Sequence, residues 1–176
     1  MDIVSYPEQV LRRRTEPVKR IDDGVLEVVA ALRSTLASSE GVGLAANQIG
    51  YPLRLAIANP TGRKEDELVL VNPEIIQRGG EESSEEGCLS CPGIRAPIVR
   101  SNRITVKYLN LEGKECVKEA DALLARVIQH EVDHLDGRLI IDRMDPAAKI
   151  LHSYTIKSLE RAFVARGLST GREERK

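Results

Sequence analysis

The chain has no tryptophan and a single phenylalanine, and aromatic residues make up only 3% of its 176 positions. Any core it builds must therefore be mostly aliphatic. Cysteine is also sparse. Three thiols, an odd number in a chain of this length, do not make a disulfide framework, and in a reducing compartment they read as free thiols or metal ligands. Long apolar runs are missing as well, because the chain opens Met1-Asp2-Ile3 and Arg12, Arg13 and Arg14 interrupt early. No secretory or membrane-spanning segment is legible, so no membrane partner is expected and the cytoplasm is the expected address. A net charge of −1 argues against a generally basic nucleic-acid binder.

With 41% hydrophobic and 30% charged residues, there is enough chain for one globular domain with a real core. That domain is expected over residues 1–168, with 169–176 as a flexible basic tail. Charge is unevenly spread. Residues 143–176 carry eight Lys or Arg against four Asp or Glu, leaving 18 against 23 on residues 1–142.

Val25, Val28, Val29, Leu32 and Leu36 recur at helical spacing, which predicts an N-terminal amphipathic helix over 25–38. Strand-like runs follow at Leu53–Ile57 and Leu68–Val71, and again at Ile104–Tyr108, with a turn at Glu112-Gly113 before Val117. Strands grouped together, and not alternating singly with helices, indicate an α+β fold. The expected architecture is mostly antiparallel β-sheets around a central helix, with an N-terminal and a C-terminal helix. At the C-terminal end, Ala147, Ile150, Leu151, Tyr154, Ile156, Leu159 and Phe163 form an imperfect helical stripe after Asp145-Pro146, with Lys149, Lys157, Arg161 and Arg166 among the polar positions.

The central helix carries the chemistry. Ala120, Leu123, Leu124, Val127 and Ile128 predict a buried face that His130, Glu131 and His134 continue, with Asp121 as N-cap and Gly137 as the stop. Gln129-His-Glu-Val-Asp-His134 is an H-E-x-x-H pattern. Residues four apart lie one above the other on a helix, so both imidazoles can reach one ion, while Glu131, about 100° round the axis, suits a proton-transfer role better than ligation. Such a centre usually has three protein ligands and one open position.

Glu86-Gly-Cys-Leu-Ser-Cys-Pro-Gly93 offers the third ligand. Cys88 would complete a Cys-His-His set. Cys91 remains a rival, since two thiols from a C-x-x-C would close the site as a structural one. If the segment were a strand, residues three apart would point to opposite faces and the thiols would diverge. Gly41-Val-Gly-Leu-Ala-Ala-Asn-Gln-Ile-Gly50 lacks the third glycine of G-x-G-x-x-G, and its small residues give the backbone room for close approach to something. It reads either as a tightly packed loop or as a cleft wall that pairs with an extended ligand. Glu86 and Arg100 are candidates for supporting the metal ligands, against the alternative of two solvated surface charges.

Three of these stretches, Gly41 to Gln48, Glu86 to Ser90 and Gln129 to His134, resemble in order and separation the three motifs of peptide deformylases. Tyr6-Pro7 to Pro17-Val18 and the run from Glu119 to Gly137 extend the resemblance over nearly the whole chain. It implies a cytoplasmic hydrolase that removes the formyl group from formyl-Met nascent peptides. By that resemblance the metal ligands are Cys88, His130 and His134, Glu131 is the general acid/base, and Gln48 and the Leu89 N–H donate to the carbonyl oxygen. Val42, Gly43 and Arg95 would contact substrate. One divalent ion is implied, Fe2+ in the cell, with Zn2+, Ni2+ or Co2+ in purified material. Cys91 departs from the family, which more often has an aliphatic residue there. If the substrate is a nascent peptide, the basic C-terminal helix is a candidate for contact with the ribosome.

Two other classes share parts of this pattern. A zincin-like peptidase would take a third ligand downstream of the helix, where Asp142 and Asp145 are the nearby acidic residues. A non-enzymatic zinc-stabilised binding module would use Cys91 as a fourth ligand.

Overall fold

The structure, a computed structural model, describes residues 1–167. The expected tail at 169–176 lies outside the described residues. Helix α1 (Asp23–Ala37) starts where Asp22 accepts a hydrogen bond from the Val25 N–H, and it buries Val25, Val28, Val29, Leu32 and Leu36 as the periodicity predicts.

Strands β1 (Gly43–Ala45), β2 (Leu55–Ala58), β3 (Leu68–Gly79), β6 (Arg103–Leu109) and β7 (Glu115–Asp121) form an antiparallel sheet in the order β1-β2-β3-β6-β7. A second antiparallel pair, β4 (Glu82–Gly87) and β5 (Arg95–Arg100), was not expected from sequence. Mostly antiparallel α+β architecture is thus what the chain adopts. Strand β3 runs far past the expected Val71, because register shifts bend it and Asn72, at φ 53°, exchanges two 2.8 Å side-chain hydrogen bonds with the Val18 backbone.

Helix α2 (Ala122–Leu135) lies against the five-stranded sheet, burying Ala125, Ile128 and Val132 among Ala58, Leu70, Ile104 and Val106. Three expectations for this helix are corrected, the first being Ala120, which is buried but lies on β7 and not on the helix. Asp121 stands at the N-cap, but its side chain accepts no cap bond; the Ala122 N–H is instead taken by Asn102 C=O at 2.9 Å. Leu123 is half exposed and faces a cleft, not the core. Gly137 does end the helical run, at φ 74°, and a Cβ there would lie 2.6 Å from the Arg12 carbonyl oxygen. Only glycine fits both constraints.

The single C-terminal helix expected from sequence is two: α4 (Pro146–Leu151) and α5 (Ser153–Ala165), after the short helix α3 (Ile140–Arg143). The break at His152 splits the stripe. Ile156, Leu159 and Phe163 face inward, whereas Ile150, Leu151 and Tyr154 are exposed. Among the described residues no helix is long and apolar enough to cross a membrane.

Candidate metal centre

The C-terminal end of α2 is held from three sides. Asn47 donates to His134 C=O at 2.7 Å, Thr15 donates to Leu135 C=O at 2.9 Å, and Arg54 pairs with Asp136 at 2.8 Å. Further up the helix, Gln129 donates to Ser101 C=O at 2.8 Å and accepts from the Ser101 N–H. These ties fix the rotation of the helix about its axis. As a result His130 and His134 face the loop that follows β4, where Cys88 lies.

Cys88 Sγ, His130 and His134 offer ligand atoms that all fall within 4.8 Å of one another. Cys88 Sγ is 3.2 Å from His134 Nε2, which is 3.2 Å from His130 Nε2. His130 Nδ1 faces Glu86 at 3.0 Å, so the ring donates a hydrogen bond to the carboxylate from Nδ1 and presents Nε2 to the cluster as the atom that could ligate. Two imidazole Nε2 atoms and a sulfur gathered at one point fit an ion between them. A tetrahedral ion with ordinary Zn–N and Zn–S bonds would space the donors by ~3.4 to 3.6 Å, within a few tenths of the two 3.2 Å separations. The donor set therefore fits a divalent metal.

Cys91 is not in this set. Residues 88–91 form a turn closed by the Cys91 N–H on Cys88 C=O at 2.9 Å, so the strand geometry considered from sequence does not apply. Downstream acids are also committed elsewhere. Asp142 accepts from the Leu139 N–H and pairs with Arg12, and Asp145 caps α4 through the Ala148 N–H at 2.7 Å.

Glu131 is 3% exposed, and its Oε2 has no hydrogen-bond partner among the described residues. Its other oxygen rests against the β1 backbone. A Cβ added to Gly43 would meet Glu131 Oε1 at 2.5 Å and Val127 Cγ1 at 2.7 Å. The small residue at Gly43 is thus explained by the carboxylate it accommodates. Burial pushes the Glu131 pKa up, and the neighbouring imidazoles offset this only in part, leaving it at about 7.

Gln48 is fixed at both ends of its amide. Its Oε1 accepts from the Ala45 N–H at 2.9 Å and its Nε2 donates to Ser90 Oγ at 3.1 Å, with Cys88 Sγ 3.9 Å away. The Leu89 N–H has no backbone partner among the described residues. Gln48, Leu89, Val42 and Gly43 all line a cleft of about 680 Å³ that reaches Cys88, His130 and Glu131. Arg95 stands exposed on its rim and pairs with Glu85 at 2.8 Å.

Beneath the cluster runs a buried chain of charges. Arg100 contacts Glu86 at 2.6 and 2.9 Å and Asp133 at 2.7 Å; Arg126 reaches Glu86 at 2.7 Å, and Arg143 pairs with Asp133. Glu86 is 7% exposed and Arg100 6%, which excludes two solvated surface charges. Burial alone would raise the Glu86 pKa, but hydrogen bonds from His130 and Arg100 overcome it and hold the carboxyl at about 2. Glu86 therefore remains an anion that orients His130. A hydrogen bond from the Cys91 thiol, the charge of His134 and hydrogen bonds from both histidines hold Cys88 well below the usual thiol range against the opposing effect of burial.

Sequence reasoning missed Arg126, Asp133, Arg143 and Ser90. A signal existed for two of them: Arg126, His130 and Asp133 are spaced i, i+4, i+7, one face of a helix.

An α+β fold that gathers a thiol, two imidazoles and a buried carboxylate at the floor of a cleft defines a metallohydrolase-type centre. The chain belongs to the polypeptide deformylase family, whose model matches residues 1–149. It is 39% identical to the peptide deformylase of Thermodesulfovibrio yellowstonii over 160 residues, covering 90% of this chain and 97% of the relative. Against the peptide deformylase of Hamiltonella defensa it is 40% identical, covering 83% and 85%. Among solved structures, peptide deformylase from Plasmodium falciparum superposes with a TM-score of 0.89 at 33% identity, covering 93% and 98% of the two chains. Arabidopsis thaliana peptide deformylase 1B gives 0.91 at 31% identity, covering 99% and 98%.

Proposed function

We propose that the chain removes the N-terminal formyl group from formyl-methionyl nascent polypeptides, releasing formate and a free amine. The observation that carries this reading is the juxtaposition, in one cleft, of the Cys88-His130-His134 donor set with Glu131 and Gln48. The family is one of metalloenzymes, and Cys88, His130 and His134 would hold the ion. When bound, a divalent ion supplies Lewis acidity and lowers the pKa of water from 15.7 to about 7, making a nucleophile available at neutral pH.

The remaining work falls to the chain's own residues. Glu131, through its unpartnered Oε2, takes the proton released as water attacks the formyl carbon and passes it to the departing amine. Negative charge developing on the formyl oxygen meets the second N–H of Gln48 Nε2 and the Leu89 N–H, donors already in place before reaction. Strand β1 is an edge of its sheet, paired to β2 on one side, so an extended peptide can add beside Val42 and Gly43. Arg95, exposed at the cleft and paired with Glu85, would contact the outer part of that peptide.

Fe2+ is the proposed cellular metal. Zn2+ binds N/S donors more tightly by the Irving–Williams order, so iron would reflect availability, and Zn2+, Ni2+ or Co2+ can replace it in purified material. Lys149, Lys157, Arg161 and Arg166 are exposed along α4, α5 and the turn after it, which supports a salt-sensitive contact with ribosomal RNA in the cytoplasm. Arg172 and Arg175 lie outside the described residues.

The test is formate release from a formyl-Met tripeptide, measured beside casein cleavage and metal content. The reading expects formate, intact casein and one metal per chain. Casein cleavage without formate release would overturn it.

A further inference from the structure

Cys91 has no part in the function proposed above, yet it sits directly behind Cys88. The hydrogen-bonded turn from Cys88 to Cys91 keeps the ends of the four-residue segment within ~7 Å, Cα to Cα. A disulfide needs Cα atoms ~4.4 to 6.8 Å apart, so the turn delivers the required span. Both residues pack in the same aliphatic cluster, with Leu11, Ile94 and Ile140, and both border the same cleft. Their exposure differs: Cys88 is partly open to the cleft, whereas Cys91 is wholly buried. The third cysteine, Cys116, lies on β7 in the other sheet and serves as an internal control.

We propose that Cys88 and Cys91 form a redox modification site for hydroperoxides, in which Cys91 is the resolving thiol for Cys88. Cys88 sulfur attacks one peroxide oxygen; the O–O bond breaks, Cys88 becomes a sulfenic acid, and hydrogen peroxide yields one water. Cys91 sulfur then attacks Cys88 sulfur. The S–S bond forms, the S–O bond breaks, and the hydroxyl leaves as a second water with the thiol proton. Two thiols have lost two electrons and two protons, and one peroxide has become two waters. Capture at this stage keeps Cys88 from the sulfinic and sulfonic acids, which ordinary reductants do not reverse. A disulfide sulfur is no thiolate ligand, so the donor set falls from three to two and the ion is released until a dithiol restores it. This last consequence rests on the reading of Cys88 as a ligand.

The alternative is that Cys91 is a small apolar filler, as buried free cysteine often is. To decide, the metal-loaded wild type is treated with hydrogen peroxide beside Cys91→Val, which keeps an apolar side chain in the core, and Cys91→Ser. Free thiols are then alkylated, the tryptic peptide Gly79–Arg95 is weighed, and metal is counted. The wild-type peptide is expected to lose two hydrogens and escape alkylation, while the protein releases its metal. Dithiothreitol with added metal should then restore nearly all of its starting activity. Cys91→Val and Cys91→Ser should gain two or three oxygens on Cys88 and recover almost none of their own starting activity. Wild-type Cys91 found alkylated beside an over-oxidised Cys88 would overturn the proposal, as would full recovery of Cys91→Val. A disulfide formed with the ion still bound would uphold the resolving role and overturn the assignment of Cys88 as a ligand.

Discussion

Gly43→Ala adds one methyl group, and the structure says what that methyl meets. Its Cβ would lie 2.5 Å from Glu131 Oε1 and 2.7 Å from Val127 Cγ1, both well inside van der Waals contact. Relieving the first contact moves the carboxylate by about 1 Å, and a misplacement of that size is enough to cost on the order of 10²-fold in rate. Relieving the second strains the packing of α2 on β1, an overpacking penalty of about 1 to 3 kcal/mol. Metal content should be unchanged, because the ligand atoms are oriented by Glu86 and by the turn at Cys88, not by Gly43. The assay is kcat and KM for formate release, with metal per chain and urea unfolding of the same preparation. Adding Val127→Ala should recover the stability and leave the rate low. Near-normal kcat in Gly43→Ala, or rate recovery in the double variant, would refute the idea that β1 seats the catalytic carboxylate.

Ser90→Ala frees Gln48 Nε2 from its 3.1 Å partner, so kcat should fall by up to ~10²-fold with KM and metal content little changed; Ser90→Thr, which keeps the hydroxyl, should recover part of the loss. Unchanged kcat in Ser90→Ala would remove Ser90 as the group that orients Gln48. Glu86→Gln leaves Arg126 without a carboxylate and Arg100 with Asp133 alone, which should cost about 3 kcal/mol of stability. Metal affinity should weaken ~10- to 100-fold, and an unchanged affinity by chelator competition would argue that Glu86 does not orient His130. Burial and the 2.7 Å bond to Glu160 raise the Tyr6 pKa above 10. A raised pKa means a contribution intact below pH 10 and lost as pH climbs through the folded value, worth about 1 kcal/mol or less for so exposed a group. Urea midpoints of wild type and Tyr6→Phe should converge above pH 10, and curves that remain parallel would contradict this.

The cluster of Cys88, His130 and His134 was legible because its geometry is local. His130 and His134 need only a helix, and the turn that presents Cys88 is compact. Around Cys91 the chain turns where an extended course is expected, because Ser90, Pro92 and Gly93 are turn formers and outweigh the extended bias of a residue before proline. Strands β4 and β5 were missed because Glu82–Gly87 is rich in Glu and Ser, poor strand formers; the pair forms because Ala96, Ile98 and Arg100 alternate inward while Glu86 pairs with a buried arginine. That charge chain joins residues 86, 100, 126, 133 and 143, which only the tertiary fold brings together. The break at His152 interrupts an apolar stripe that looked continuous, and Ser153 at the new helix start was its one local sign.

The most direct test of the account is to remove all metal and titrate Fe2+ back anaerobically while recording formate release from a formyl-Met peptide. Activity should rise linearly from near zero and break at one equivalent per chain in the wild type, with no such break in Cys88→Ser. Substantial activity without metal, or an unaltered titration in Cys88→Ser, would contradict the claim that Cys88, His130 and His134 hold the ion on which deformylation depends.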